Sequence, residues 1–256
     1  MITLNPKFSL IDFFRLLKEK KSMLILDYDG TLSPFSSDPS LAFPYPGVFD
    51  RIRKLMNMQK TKVVIISGRD IQSLKSLLPF PFPELWGSHG GERMQVNSLS
   101  ISSAPLKPEI KQILTIAAQK ASKLSPELRI EIKPFSIALH WREMDPNLAE
   151  PVKACWKELI NHKPLEIQSF DEGIELRVLG INKGYAVKKL LEEFPENNLI
   201  AYLGDDFTDE QAFHVLGDKA LKILVRKKLR PTLADVYITP PNEVLEFLDK
   251  WLEALK

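Results

Sequence analysis

Two aspartates lie two positions apart at the end of an apolar run in the sequence. The run 24–26 leads into Asp27 and Asp29, and Gly30 and Thr31 follow as a turn. Residues two apart share one face of a strand, and the backbone turns where a strand ends, so both carboxylates can reach one point above a sheet. One carboxylate could attack phosphorus while the other moves protons, if a divalent cation with oxygen ligands cancels the repulsion from the phosphate. The pattern predicts a metal-assisted phosphoryl-transfer site.

A second acidic cluster follows another apolar run. Residues 199–204 are mostly apolar, and Asp205, Asp206 and Asp209 come directly after them. Such clustered negative charge is unfavourable unless a cation lies among the carboxylates. We expect Asp205 to be a direct ligand of Mg²⁺, with Asp206 and Asp209 orienting metal-bound water. The alternative for the latter two is that they are N-terminal acids of the helix that follows, where the helix dipole favours them.

Two further segments complete a phosphate-binding set. Ser67 and Gly68 follow the strand-like run 62–66; a serine hydroxyl can donate to a phosphate oxygen, and glycine lets the backbone approach it. Lys183 begins another helical segment, where its ammonium could neutralise phosphate and fix the attacking carboxylate. Alone, Ser67 would be interpreted as a helix N-cap and Lys183 as a solvated lysine. Their significance depends on the two aspartate clusters.

These four elements, in this order and at strand ends, resemble the haloacid dehalogenase superfamily of phosphatases. They are the segment Asp-Tyr-Asp-Gly-Thr-Leu at 27–32, Ser67, Lys183 and the segment Gly-Asp-Asp-Phe-Thr-Asp at 204–209. The resemblance implies that Asp27 is the nucleophile and Asp29 the general acid and base. It also implies that Asp27, Asp29 and Asp205 ligate Mg²⁺, and that Ser67 and Lys183 are catalytic.

Shorter segments extend the resemblance to the trehalose-6-phosphate phosphatases, over about residues 23–213. They are Gly87-Ser88-His89-Gly90, Glu131-Ile132-Lys133, Ala138-Leu139-His140-Trp141-Arg142, Glu175-Leu176-Arg177, Asn182-Lys183-Gly184 and the doubled aspartate before Thr208-Asp209-Glu210. The resemblance implies hydrolysis of trehalose 6-phosphate. It also implies a set of substrate-binding residues: Gly30, Thr31, Gly68, Arg69, His89, Glu131, Lys133, His140, Arg142, Glu175 and Asn182.

Strand and helix patterns alternate over the first ninety residues. The predicted elements are strand 23–27, helix 47–58, strand 62–66, helix 70–78 and strand 85–88. This alternation predicts a parallel sheet with helices on both faces, and ligands bind at the carboxyl ends of the strands in such sheets. We expect an α/β fold with a Rossmann-like core of the haloacid dehalogenase type.

The middle of the chain has a different pattern. The predicted elements are helix 109–124, strands 129–133 and 136–142, helix 148–161, and strands 165–169 and 174–179. This antiparallel α+β unit resembles the inserted cap domain, of type C2, that sugar-phosphate members of the superfamily carry. We therefore expect a core of residues 1–104 and 181–256, and a cap of residues 105–180 that sets substrate specificity.

Polar residues are paired along the strands of this middle unit. They are Glu131 with Lys133, His140 with Arg142, and Glu175 with Arg177, each pair two residues apart and on one face. Such groups are suited to binding the hydroxyls of a sugar. The alternative is the solvated face of a half-exposed antiparallel sheet.

The composition is that of an ordinary globular protein. The 256 residues are 44% hydrophobic and 27% charged, with a formal net charge of +2, which offers no electrostatic case for binding nucleic acid or an anionic membrane. The basic run 226–230 is expected to be a solvated loop. The single cysteine, Cys155, excludes an intrachain disulfide and is expected to be a buried structural thiol.

The N-terminal segment has the pattern of an amphipathic helix. Charged residues interrupt its apolar positions, so it offers nothing near the roughly 20 apolar residues of a membrane span. It also lacks the pattern of a secretory signal, and we therefore expect a cytoplasmic enzyme.

Other functions stay open beside the trehalose-6-phosphate phosphatase. One is a phosphatase for another sugar phosphate, such as that of sucrose, glucosylglycerol or mannosylglycerate, and another is a phosphomutase. A third is a catalytically silent sugar-phosphate binder that regulates a synthase; a silent binder has no need of the general acid Asp29. The expected partners are a small-molecule sugar phosphate and a trehalose-6-phosphate synthase, with neither nucleic acid nor membrane.

Overall fold

The computed structural model describes residues 1–36, 38–96, 98–141, 144–161, 163–170, 172–194 and 198–256. The chain divides into two compact units. Unit 1 comprises Met1–Ser102 and Asn182–Lys256, and unit 2 comprises Ser103–Ile181.

The described residues form short strands and α-helices. The strands are β1 (Ile2–Thr3), β2 (Ser22–Asp27), β3 (Thr61–Ile66), β4 (Glu84–Gly87), β5 (Glu92–Met94), β6 (Ser102–Ser103), β7 (Arg129–Lys133), β8 (Ser136–His140), β9 (Leu165–Phe170), β10 (Gly173–Val178), β11 (Leu199–Gly204), β12 (Leu221–Val225) and β13 (Val236–Ile238). The helices are α1 (Leu10–Leu16), α2 (Val48–Met58), α3 (Ile71–Leu77), α4 (Pro108–Leu124), α5 (Glu150–Leu159), α6 (Lys183–Glu193), α7 (Phe207–Leu216) and α8 (Asn242–Ala254).

Unit 1 is built on a sheet with the strand order β1-β13-β12-β11-β2-β3-β4-β5-β6. The strands from β13 to β4 run parallel, whereas β1 and β5 pair antiparallel at the two sides. The predicted α/β fold with a parallel sheet is confirmed. The central strand β2 is buried along its whole length, as expected for a parallel sheet covered on both faces.

Side chains of β2 alternate between two apolar clusters. Leu24 and Leu26 belong to a cluster that includes residues of α1, α2, α3 and α8. Met23 and Ile25 belong to a second cluster with residues of α6 and α7. Because successive side chains of a strand point to opposite faces, the helices cover both faces of the sheet, as predicted.

Several element bounds differ from the prediction. The helix expected to follow the acidic cluster, α7, begins within it at Phe207, because Asp206 and Asp209 form a capping box. Strands β12 and β13 lie outside the predicted elements; they are short and completely buried, and their pairing with distant strands is not visible in local sequence.

Unit 2 is an antiparallel sheet with two helices. Its strand order is β7-β8-β10-β9. Apolar residues of the strands form a cluster with α4 and α5, and the Trp156 indole donates to the Ala117 carbonyl at 3.2 Å. Cys155, expected to be buried, is half-buried. Among the described residues, no helix has the length and apolar character that crossing a membrane requires.

Candidate active site

Three predicted site residues lie at the carboxyl ends of neighbouring parallel strands. Asp27 ends β2, Ser67 follows β3, and Asp205 follows β11, whose partners are β2 and β12. All three side chains are buried. The strand ends of a parallel sheet meet at one edge, and this geometry brings together residues far apart in sequence.

The Asp27 carboxylate is fixed by two neighbours. The Lys183 ammonium donates to Asp27 Oδ1 at 2.6 Å, and the Thr31 hydroxyl donates to Asp27 Oδ2 at 3.1 Å. Burial raises the pKa of Asp27 to about 7, although Lys183 opposes this effect. Burial alone would lower the pKa of Lys183, but Asp209 and Asp27 outweigh it and raise the pKa. The carboxylate and the ammonium therefore form a buried, oriented pair.

Asp29 forms a bidentate ion pair with Arg69. Arg69 Nε and Nη2 donate to the two carboxylate oxygens of Asp29, each at 2.7 Å, and Arg69 Nη1 donates to the Pro39 carbonyl at 2.7 Å. The bidentate geometry fixes the orientation of the Asp29 carboxylate. Arg69, which the sequence predicts to bind substrate, thus contacts Asp29, the expected general acid and base.

Three buried carboxylates could hold a cation. One oxygen each from Asp27, Asp205 and Asp209 lies within 4.8 Å of the others. Burial raises the pKa of Asp205 well above its ordinary value, and the negative charges of Asp27 and Asp209 add to this effect. Carboxylate oxygens are the ligands that Mg²⁺ prefers, so the donor set fits this ion. Gly30 makes room for Asp205: its φ is +80°, and an added Cβ would lie 2.3 Å from Asp205 Oδ2.

The carboxylate of Asp209 accepts four hydrogen bonds. Its Oδ1 accepts from Lys183 Nζ and from the Tyr202 hydroxyl, both at 2.7 Å. Its Oδ2 accepts from the backbone N–H groups of Asp205 and Asp206, both at 3.0 Å. Asp206 in turn accepts from the Phe207 N–H at 2.7 Å. Both acids have the contacts of helix N-terminal residues, which is the alternative stated for them above.

Ser67 and His89 lie on neighbouring segments that follow the paired strands β3 and β4. Ser67 Oγ accepts from the Arg69 N–H at 3.1 Å, and Asp70, not Ser67, caps α3. The imidazole of His89 lies against Gly68, where an added Cβ would be 2.6 Å from His89 Cε1. His89 has a φ of 57°, and its N–H donates to the Ser67 carbonyl at 2.9 Å. A backbone hydrogen bond therefore joins the two segments.

Glu92, which the sequence pattern did not single out, contacts both the turn that begins at Ser88 and the first residue of α3. Its Oε2 accepts from the Ser88 hydroxyl at 2.8 Å and from the Ile71 N–H at 3.3 Å. Its position four residues after Ser88, next to a glycine-containing turn, is the sequence feature that could have indicated these contacts.

The predicted sugar-binding residues of unit 2 form one polar cluster. Glu131 and His140 lie 3.1 Å apart, and Lys133 Nζ donates to Glu175 Oε1 at 3.2 Å. The Ser136 hydroxyl also donates to Glu175 Oε1, at 2.7 Å. Burial alone would raise the pKa of Glu131, but the hydrogen bond to His140 and the charge of Lys133 outweigh it and lower the pKa.

Arg142 and Asn182 are two other predicted substrate-binding residues. Arg142 lies outside the described residues. Asn182 is the N-cap of α6, and its side chain accepts from the Tyr185 N–H at 3.0 Å.

Two arginines of the basic run are not solvated, contrary to the expectation for residues 226–230. Arg226 Nη1 and Arg230 Nη2 donate to the backbone carbonyl of Asp205, at 3.2 and 3.3 Å. Their neighbours Lys227 and Lys228 are exposed. The pairing of β11 with β12 brings this run to the acidic residues, which local sequence does not indicate.

Comparison with known proteins identifies the family. The sequence model of the family described as trehalose-phosphatase matches residues 25–237. The chain belongs to the trehalose-phosphatase family. This confirms the predicted family and the enzyme class that its name states, a phosphoric monoester hydrolase.

Relatives with similar sequences include a probable trehalose-phosphate phosphatase H of Arabidopsis thaliana, 31% identical over 94% of this chain and 75% of the relative. The trehalose-phosphatase of Schizosaccharomyces pombe is 29% identical over 96% of this chain and 32% of its own length. An alpha,alpha-trehalose-phosphate synthase of Dictyostelium discoideum is 33% identical over 78% of this chain and 26% of its own length.

Solved structures share the fold. The C-terminal domain of the Candida albicans trehalose-6-phosphate phosphatase has a TM-score of 0.80 at 24% identity, with both chains covered completely. The C-terminal domain of a Candida albicans trehalose synthase regulatory protein has a TM-score of 0.70 at 17% identity, over 90% of this chain and 94% of that one. The fold of this trehalose-phosphatase family member is the predicted haloacid dehalogenase type.

Proposed function

We propose that this family member is a Mg²⁺-dependent phosphatase that hydrolyses trehalose 6-phosphate to trehalose and inorganic phosphate. The single observation that carries the proposal is the buried set at the strand ends, in which Lys183 contacts Asp27 and the carboxylates of Asp27, Asp205 and Asp209 cluster. The family name and the names of the relatives support the choice of substrate.

Asp27, Asp205 and the backbone carbonyl of Asp29 would hold the metal ion. Bound there, Mg²⁺ supplies positive charge that offsets repulsion between the carboxylates and the phosphate. The side chain of Asp29, which pairs with Arg69, would not ligate the metal ion and would instead transfer protons. Asp206 and Asp209, which cap α7, support the loop that carries Asp205.

The reaction would proceed in two displacements at phosphorus. In the first, an Asp27 oxygen attacks phosphorus, the bond to the sugar oxygen breaks, and Asp29 protonates the leaving oxygen. In the second, Asp29 accepts a proton from water, which attacks the phosphorus of the aspartyl-phosphate and releases inorganic phosphate from Asp27. Lys183 would neutralise phosphate charge while it fixes Asp27, and the Ser67 hydroxyl would donate to a phosphate oxygen.

We also propose that unit 2 is the cap domain that sets specificity. Its polar cluster, Glu131, Lys133, His140 and Glu175, offers both donors and acceptors, as the hydroxyls of a disaccharide require. Arg142 is proposed for the same role from the sequence alone. In unit 1, Gly30, Thr31, Gly68, Arg69, His89 and Asn182 stay proposed contacts of the phosphate or of the sugar near it.

A regulatory, catalytically silent role is the second candidate. The structural likeness to a regulatory protein's C-terminal domain and the sequence likeness to a synthase favour it. The same likenesses motivate the proposal of a synthase as partner. The complete set of proposed catalytic residues argues against a catalytically silent role, because a silent binder has no need of an acid, a nucleophile and a metal ligand. These residues are Asp27, Asp29, Ser67, Lys183 and Asp205.

The test is inorganic phosphate release from a panel of sugar phosphates, with Mg²⁺ and after its removal by a chelator. We expect a strong preference for trehalose 6-phosphate and loss of release without Mg²⁺. Preference for sucrose, glucosylglycerol or mannosylglycerate phosphate would contradict the substrate. Conversion of a sugar phosphate without phosphate release would indicate a phosphomutase, and no reaction with any compound would favour the silent binder.

A further inference from the structure

The segment after β12 touches the backbone of a proposed metal ligand. The guanidinium groups of Arg226 and Arg230 both donate to the carbonyl oxygen of Asp205. The Asp205 N–H donates on its other side to Asp209 Oδ2. Both polar backbone atoms of Asp205 are therefore bonded, and the connection of residues 205–206 between β11 and α7, here called the acidic loop, is held at its first aspartate.

Sheet register places Arg226 at this point. Gly204 at the end of β11 pairs with Leu224 near the end of β12, so the residues that follow the two strands lie side by side. The Arg226 N–H donates to the Ile238 carbonyl at 3.0 Å, which anchors its backbone to β13. The guanidinium thus projects from a fixed strand end.

Arg230 is held by three further contacts. Its Nη1 donates to a carboxylate oxygen of Glu210 and, at 2.8 Å, to the Pro231 carbonyl. Its guanidinium also lies over the ring of Phe207, 4.6 Å from the centroid. Because Phe207 and Glu210 belong to the first turn of α7, Arg230 connects this turn to the acidic loop.

Glu210 completes the connection. It accepts from the Thr232 hydroxyl and from the Leu233 N–H, both at 2.8 Å. The side chain of Arg230 is only 9% exposed, against 19% for Glu210. An ion pair with this little exposure and this many hydrogen bonds orders its surroundings more than an exposed surface pair does.

We propose that Arg226 and Arg230 are positioning residues that fix the acidic loop in its metal-binding conformation before the metal arrives. This inference rests on the proposed function, in which Asp205 is a Mg²⁺ ligand. Neither arginine is assigned a contact with substrate; both act through the backbone of Asp205. A metal site whose ligands are already ordered loses less conformational entropy on binding.

The positive charges of Arg226 and Arg230 alone would have the opposite effect on the affinity for Mg²⁺. Two guanidinium groups near a cation site repel the cation, and their removal would then tighten metal binding. Glu210 offsets the charge of Arg230, which for this residue leaves the hydrogen bond to Asp205 as the main contribution. The direction of the change in affinity therefore separates positioning from electrostatic repulsion.

The first experiment measures Mg²⁺ binding to the metal-free protein by titration calorimetry. The variants are Arg226→Met and Arg230→Met, with Lys227→Met and Lys228→Met as controls that remove the same charge from exposed neighbours. We expect the arginine variants to bind Mg²⁺ about ten-fold more weakly, the order of effect of a lost hydrogen bond to a charged group. The lysine variants should bind as the wild type does.

Asp205→Asn tests the underlying site in the same series. If the wild type binds Mg²⁺ and Asp205→Asn does not, unchanged or tighter binding by both arginine variants would overturn the inference alone. If the wild type binds no Mg²⁺, the proposed metal site and this inference both fail. In turnover, the arginine variants should need more Mg²⁺ but approach the wild-type kcat at saturation, since Asp27, Asp29 and Lys183 are untouched.

The second experiment needs no metal. Hydrogen exchange of the amides of Asp205 and Asp206, which both bond to Asp209, should be faster in Arg226→Met and Arg230→Met than in the wild type or the lysine controls. Exchange in β2 should not change. Arg226→Lys and Arg230→Lys are used where a methionine variant fails to fold. They keep the positive charge but lose the planar guanidinium group, and exchange of the two amides should again be faster than in the wild type. Unchanged exchange in every arginine variant would overturn the inference.

Discussion

At the scale of single residues, the candidate site depends on buried charges that neutralise one another. Lys183 lies between Asp27 and Asp209 and is within hydrogen-bond distance of both. Removing one partner from a buried set of this kind leaves an uncompensated charge, which is costly. The same contacts orient the carboxylate proposed to attack phosphorus, so we expect both stability and activity to depend on Lys183.

Lys183→Met is expected to lower the free energy of unfolding by about 3–5 kcal/mol and to abolish phosphatase activity. The reason is that Asp27 and Asp209 lose their shared cation. Urea unfolding and phosphate release measure the two effects. The control is Lys189→Met on the same helix, an exposed lysine that pairs with Glu192; it should behave as the wild type. Equal stability of the two variants would contradict the prediction.

The pKa of Asp27 gives a second prediction, for the metal-free protein. Burial raises this pKa from 3.8 to about 7, so the native state binds more protons than the unfolded state between these values. The contribution of Asp27 to the free energy of unfolding should therefore fall as pH rises from about 4 to about 7. Asp27→Asn removes this titration, and its stability relative to the wild type should increase over this range, by on the order of 3 kcal/mol.

Urea unfolding at several pH values, in the presence of a chelator, measures this difference. A difference between variant and wild type that stays constant with pH would show that Asp27 does not titrate in this range.

At the scale of elements, the strand ends and the turns that follow them set the geometry. Asp27, Ser67 and Asp205 were predictable because each follows a recognisable apolar run, and parallel strands present their carboxyl ends together. The contacts of Arg226 and Arg230 with Asp205 were not predictable, because they depend on the pairing of β12 with β11. The pairing of Lys133 with Glu175 likewise needs the antiparallel order of β7, β8 and β10.

Gly204 tests the junction of β11 and the acidic loop. An added Cβ there would lie 2.3 Å from Asp209 Cγ, and Asp209 is completely buried with four hydrogen bonds. Gly204→Ala should therefore destabilise the protein by about 1–3 kcal/mol, as overpacking does, and weaken Mg²⁺ binding. Thermal unfolding and calorimetry check both effects. A variant with wild-type stability would mean that Asp209 can move away at no cost.

At the scale of the whole molecule, the two units hold different chemistry. Unit 1 carries the carboxylates, the lysine and the serine proposed for phosphoryl transfer, and unit 2 carries the polar cluster proposed to bind sugar. Each unit has an apolar core of its own. The division predicts that substitutions in unit 2 change substrate preference more than they change phosphate chemistry.

Lys133→Met should separate the two properties. It removes a donor from the polar cluster of unit 2, so KM for trehalose 6-phosphate should rise by about ten-fold. Hydrolysis of p-nitrophenyl phosphate, which has no sugar, should stay at the wild-type rate. Lys120→Met, an exposed lysine of α4, is the matched control. Equal losses with both substrates would contradict a specificity role for unit 2.

We propose that Asp27 is the nucleophile of a trehalose-6-phosphate phosphatase, and the most direct measurement is acid quenching during turnover, followed by mass spectrometry of the peptide that contains Asp27. We expect covalent phosphate on Asp27 in the wild type, and neither covalent phosphate nor phosphate release in Asp27→Asn. Full turnover by Asp27→Asn, or covalent phosphate on another residue, would contradict it.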